Sequence, residues 1–169
     1  GAMVAGARET TGDVLTAAIG VIGLQKGVTD PTSAFVMISP NEHLEHDGVF
    51  LFADPAVMPT PTPSDLARIA IESAELFHQV VGEEPRVSLL SFSTAGSADH
   101  PSVVAVREAG MRLAAMQPEF PFDVEVQMDA RRLIAGAEVF AVLDGASGVP
   151  GEALAPFPAV AVEVQAPGA

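Results

Sequence analysis

A chain of 169 residues that is 49% hydrophobic, with nine Phe but no Tyr or Trp, suits about one domain with an aliphatic core, burying roughly 68–70% of its unfolded surface. Its formal net charge of -14, with eight Lys plus Arg against 22 Asp plus Glu, argues against nucleic acid as a partner, because such a surface repels a phosphate backbone. The lack of cysteine excludes disulfides and thiolate nucleophiles and fits a cytoplasmic protein; no run nears the ~20 apolar residues of a membrane span, and no export signal is visible.

Gly1-Ala2-Met3 reads as the remnant of a removed tag and is set apart from the fold. Thr10-Thr11-Gly12-Asp13 then precedes apolar residues at helical spacing, with Gly23 or Gly27 suited to the exit, which predicts a helix from about Gly12 to Leu24. Ser33 to Ser39 and Val49 to Ala53 are short apolar runs joined by a polar turn ending in Asp47-Gly48. They should pair as an antiparallel hairpin. Pro63-Ser64-Asp65 opens an amphipathic helix, with Ser64 expected as its cap, Leu66, Ile69, Ala70, Ala74, Phe77 and Val81 on one side, and Gly82 at its end. Arg86 to Phe92 reads as a buried strand, Asp99-His100-Pro101-Ser102 opens a helix to about Met116, and Val124 to Met128 alternates as a strand. The alternation of strands and helices from Val49 to Met128 argues for an α/β layer with parallel neighbours. Beyond Ala130 the pattern weakens: Ala137 to Leu143 and Ala159 to Val164 could be strands, and Gln165 to Ala169 should fray.

Chemistry in an open α/β sheet is expected where strands run out into loops. Asp54 follows one strand and could orient a ligand or accept a proton; capping the proline-rich loop after it is the plainer alternative. Ser91-Phe92-Ser93-Thr94-Ala95-Gly96-Ser97 follows another. Its hydroxyls and backbone N–H groups could cradle an anion near the helix that starts at Asp99, or could form only a turn and a helix cap. Glu42-His43-Leu44-Glu45-His46-Asp47 invites a metal, but its spacing suits a helix while its context is a turn, so a solvated loop is the better reading. Arg131-Arg132 is the one basic pair, read as a surface pair or an anion contact, and His78 and His100 read as ordinary helix histidines.

The ordered blocks Phe52-Ala53-Asp54-Pro55-Ala56-Val57, Pro59-Thr60-Pro61-Thr62 and Ser91-Phe92-Ser93-Thr94 with Gly96-Ser97, preceded by Val4-Ala5-Gly6-Ala7 and Thr10-Thr11, resemble the phosphate acetyltransferase and phosphate butyryltransferase family. Glu125, Gln127 and Asp129-Ala130 resemble its later strand end. The resemblance covers about residues 4–130 and sets residues 131–169 apart as a divergent Ala-, Pro- and Gly-rich segment. It implies a three-layer, mostly parallel sheet with flanking helices, similar to the second domain of these acyltransferases and to isocitrate and isopropylmalate dehydrogenases. It also implies exchange of an acyl group between coenzyme A and phosphate, with coenzyme A or acetyl-CoA as substrate or ligand, and a homodimer. Asp54 and Ser93 would then be catalytic, with Thr10, Thr11, Ser91, Ser93, Thr94, Gly96 and Ser97 binding ligand. Family enzymes are about twice this long, so the resemblance implies a domain inactive by itself, with its missing half on another chain, or a non-catalytic scaffold or acyl-CoA sensor. The family pattern leads one to expect arginine at Thr16, asparagine at Met58 and lysine at Ala95.

Overall fold

The fold is that of a computed structural model describing residues 4–38, 49–92, 99–127 and 159–164. The predicted turn at 39–48 with its Glu/His motif, the loop residues 93–98, Arg131 and Arg132, the run at 137–143 and the tail at 165–169 lie outside the described residues. The chain divides into two compact units, Gly1–Thr32 and Ser33–Ala169.

The first unit is built on helix α1 (Thr11–Val21). Thr10 caps it: the hydroxyl accepts from the Asp13 N–H at 3.2 Å and donates to Asp13 Oδ2 at 2.6 Å, and the Asp13 charge sits favourably in the first turn. The exit comes earlier than the predicted Leu24. Gly23 is left-handed with φ of +82°, and its N–H and that of Ile22 both reach back to the Ala18 carbonyl at 3.2 and 2.8 Å, which ends the helix one turn sooner.

In the second unit, β1 (Ala34–Ile38) and β2 (Val49–Ala53) form the predicted antiparallel hairpin, in the register Ala34↔Ala53 to Ile38↔Val49. Helix α2 (Pro63–Val81), β3 (Pro85–Ser91), helix α3 (Pro101–Ala115), β4 (Phe122–Gln127) and β5 (Ala159–Val164) follow. The sheet order is β1-β2-β5-β3-β4. The mostly parallel sheet expected from the sequence is therefore corrected to a mixed one: among the described residues, only β3 and β4 pair in parallel, and the other three pairings are antiparallel. The cause is β5, which inserts antiparallel to both β2 and β3. Because both flank the same strand in the same sense, β2, β3 and β4 still run in one direction, as strand–helix–strand connections require.

Helices α2 and α3 pack on one face of this sheet and on each other. Leu51 and Ala53 of β2, Leu66, Ile69 and Phe77 of α2, Val87 and Leu89 of β3, and Leu113 of α3 form one buried cluster. The buried residues of α2 recur at turns of the helix, from Leu66 to Phe77, as its periodicity predicts. Its cap is not the expected Ser64 but Thr62, in a capping box with Asp65: Thr62 Oγ1 accepts from the Asp65 N–H at 3.2 Å, and the Thr62 N–H donates to Asp65 Oδ2 at 2.9 Å. Pro63 occupies the first helical position, where no N–H is missed, and left-handed Gly82 closes the helix. Gly110 lets α3 approach β4 closely, since a Cβ there would lie 2.6 Å from Val124 Cγ2.

Candidate active site at the carboxyl edge of the sheet

The shared direction of β2, β3 and β4 brings the residues that end or follow them, Asp54, Ser91 and Gln127, to one edge of the sheet. Pairing fixes this: Ser91 lies opposite Gln127 in the parallel register, and the start of β5 lies beside the ends of both β2 and β3, Val160 opposite Ala53 and Ala159 opposite Leu90. Carboxyl ends of strands are where open α/β sheets bind ligands.

Asp54 emerges from β2 through a cis Ala53–Asp54 peptide. Its Oδ1 accepts from the Ala56 and Val57 N–H groups at 2.9 and 3.0 Å and from the Ser33 hydroxyl. The loop-capping reading of Asp54 is thus correct for one oxygen. The other, Oδ2, is buried and has no hydrogen-bond partner among the described residues. A buried carboxylate oxygen left unpaired is costly, so this atom is suited to a donor brought by something outside the described chain. Ser33, which holds Asp54 at this candidate site, is not singled out by the sequence pattern. Its signal was the hairpin itself, since one further step of the Ala34↔Ala53 register sets Ser33 opposite Asp54.

Ser91 ends β3 almost fully buried, at 5% exposure. Ser93, Thr94, Gly96 and Ser97, which follow it, lie outside the described residues. The Phe92 and His100 rings stack edge to face with centroids 5.5 Å apart. His100, read from sequence as an ordinary helix histidine, is the α3 cap: Nδ1 accepts from the Ser102 N–H at 3.2 Å. That acceptor role puts the neutral ring's proton on Nε2. A helix N-terminus that follows a buried strand in the chain is a setting suited to anions.

Among the described residues, the guanidinium that reaches the Asp54 loop is already engaged. Arg68 Nη1 donates to both carboxylate oxygens of Glu72 at 3.1 Å, and Nη2 lies 3.7 Å from Asp65 Oδ1 and 3.8 Å from the sulfur of Met58, in the loop after Asp54. Thr62 and, secondarily, Arg68 hold the Asp65 carboxyl below its ordinary value, the Thr62 hydroxyl contributing most. Arg86 is paired with Asp123 at 2.8 Å. In the other unit, the Thr10 hydroxyl caps α1, Thr11 is the first helical residue, and the Thr16 hydroxyl donates to the Gly12 carbonyl at 2.8 Å. A groove of about 440 Å³ between Glu75, His78, Glu84 and Phe120 lies at the opposite, amino end of β3, away from the strand ends that carry the candidate chemistry.

A carboxylate and a buried serine at the carboxyl ends of co-directional strands belong to an α/β domain and mark a candidate ligand site at its sheet edge. The comparisons make this specific. The family model for phosphate acetyl/butaryl transferase matches residues 1–135, and the chain belongs to that family. It is 46% identical over 132 residues to the phosphate acetyltransferase of Treponema pallidum, covering 76% of this chain and 39% of that protein. It is 40% identical over 151 residues to the phosphate acetyltransferase of Clostridium acetobutylicum, covering 89% of this chain and 44% of that one. Among solved structures, a phosphotransacetylase from Streptococcus pyogenes superposes with a TM-score of 0.63 at 35% identity, over 74% of this chain and 36% of that chain. The chain thus spans about two fifths of the length of these two curated relatives. Among the described residues, no helix is long and apolar enough to cross a membrane.

Proposed function

We propose that this chain supplies one wall of a phosphate acyltransferase site, where an acyl group passes between coenzyme A and phosphate, and that it does not turn over by itself. In the forward reaction a phosphate oxygen attacks the thioester carbonyl, the tetrahedral oxyanion collapses, and coenzyme A leaves as a thiolate that takes up a proton. Such a site must neutralise phosphate, aim donors at the oxyanion and manage that proton. In this reading Asp54 Oδ2 accepts a proton or hydrogen bond from the ligand, and Ser93 acts with it. Ser91, Thr94, Gly96 and Ser97 offer donors to the ligand. The observation that carries the reading is the unpartnered, buried Asp54 Oδ2 at the same sheet edge as Ser91.

Arg68, whose guanidinium reaches Met58 in the Asp54 loop, is held by two carboxylates, which supports a site that draws its cations from beyond the described residues. The same reading assigns residues 4–130 to the acyltransferase-like domain and 131–169 to a divergent segment contributing β5. It also assigns the family's three-layer arrangement to the assembled protein, with a further layer on the sheet face opposite α2 and α3, and a cytoplasmic location in keeping with a cysteine-free chain. The second reading, an acyl-CoA-sensing or scaffold domain, is favoured by the engaged Arg68 alone. Turnover assays of acetyl phosphate with coenzyme A separate them. Thioester formation by the purified chain that disappears in a Ser93→Ala/Thr94→Ala variant would overturn the claim that it is inactive alone. Binding without turnover supports it, and neither binding nor turnover leaves the scaffold.

A further inference from the structure

The groove of about 440 Å³ at the amino end of β3 lies at the sheet edge opposite Asp54 and Ser91, and the acyltransferase reading gives it no role. Ile71 and Ala74 of α2 and Phe120, after α3, form its buried and half-buried floor, while Glu75, Glu84 and Glu119 stand exposed around it. Its volume is of the size that holds small organic ligands.

The ends of two helices build its walls. Gly82 closes α2 just before Glu84. Past the end of α3, Gln117 turns the chain with φ of 52°, and Glu119 and Phe120 return alongside α2. The last carbonyls of a helix carry the negative end of its dipole, which favours a cation beside them. His78 adds an acceptor. Its Nδ1 donates to the Glu83 carbonyl at 3.0 Å, so Nε2 of the neutral ring carries a lone pair. None of the residues lining the groove is Lys or Arg. Among the described residues no cation pairs with Glu75, Glu84 or Glu119, and the neighbouring Arg86 is engaged by Asp123 at 2.8 Å.

We propose that this groove binds a small organic cation, an alkyl- or arylammonium whose apolar body lies on Ile71, Ala74 and Phe120 and whose charge sits among the three carboxylates. Floor and rim select this ligand together. The floor by itself would take a fatty acid as readily as a fatty amine. The rim by itself would hold a hydrated inorganic cation only weakly, because exposed charges are screened. An apolar floor under carboxylates and helix ends of one sign favours a ligand that has both an apolar body and a positive charge. Binding here is independent of the acyltransferase reading, since failure to bind acetyl-CoA would leave it untouched.

Calorimetric titration with octylammonium chloride at low salt tests the site on the chain as it stands. Binding should saturate near one ligand per chain, and butylammonium should bind at least ~10-fold more weakly, because each buried methylene adds affinity. Octanoate, a chain of the same length with the opposite charge, should give no saturable heat up to millimolar concentration. Glu75→Gln/Glu119→Gln should weaken octylammonium binding about 5-fold with an unchanged circular dichroism spectrum. Glu9→Gln/Glu108→Gln removes the same charge from exposed positions outside the groove and should leave binding within about 2-fold. Octanoate binding as tightly as octylammonium would overturn the site, as would a lack of saturation by octylammonium. Equal weakening in the two double variants would also overturn it, since attraction to the net charge of -14 would then suffice.

Discussion

Ser33 and Asp54 face each other across the β1–β2 hairpin, 21 residues apart in sequence, and the Ser33 hydroxyl donates to the same Asp54 oxygen that caps the following loop. One carboxylate oxygen is thereby fixed by three donors while the other is buried without one. The arrangement separates a structural role from a ligand role within a single side chain, and the two can be measured apart.

Replacing Ser33 by Ala removes a partly buried hydrogen bond to a carboxylate and should cost about 1–2 kcal/mol in urea unfolding. Asp54→Asn keeps an oxygen to accept from the loop N–H groups, so it should be milder than Asp54→Ala, which abolishes the cap and should cost about 2 kcal/mol or more. Both should be followed by circular dichroism, because the chain has no Tyr or Trp to report by fluorescence.

The capping box predicts a difference between two neighbouring hydroxyls. Thr62→Ala should destabilise by about 1 kcal/mol, whereas Ser64→Ala, at an exposed position inside the helix, should stay within about 0.5 kcal/mol. Asp65 adds a signature in pH. Its folded carboxyl is held below the ordinary value of 3.8, chiefly by Thr62. Its contribution is therefore present above that value and is lost as pH falls through the lower folded value. Thr62→Ala should flatten this acid limb in a series of unfolding curves taken below about pH 5.

At Gly110 two effects oppose each other. Alanine normally gains about 1 kcal/mol over glycine inside a helix, but here its Cβ would fall 2.6 and 2.7 Å from the two Val124 methyls. Valine is stiff, so overpacking should win and Gly110→Ala should destabilise by about 1–3 kcal/mol. Adding Val124→Ala should recover part of that loss in the double variant, as read from thermal melts.

Local signals made most elements legible. Apolar alternation and the polar turn gave the hairpin, helical spacing gave α2 and α3, and Gly82 marked the end of α2, because these depend on residues close in sequence. Ser64 drew attention away from Thr62, although Pro63 at the first helical position points to the residue before it as the cap. His100 reads as an ordinary helix residue, not as the cap, because histidine is not among the favoured cap types. The mixed sheet was hidden for a different reason. An apolar run at Ala159–Val164 shows that a strand forms, but not that it inserts between β2 and β3, since a strand's pattern carries its faces and not its partners. Asp54 and Ser91 were legible as strand ends, while the pairing of Asp54 with Ser33 required the register.

The central claim is that this sheet edge binds an acyl-CoA, and calorimetric titration with acetyl-CoA at low salt, with and without phosphate, tests it most directly. Saturable binding near one ligand per chain, weakened at least ~10-fold in Asp54→Asn while that variant stays folded, is the predicted result. No heat up to millimolar ligand, an affinity weaker than about -4 kcal/mol, would contradict it.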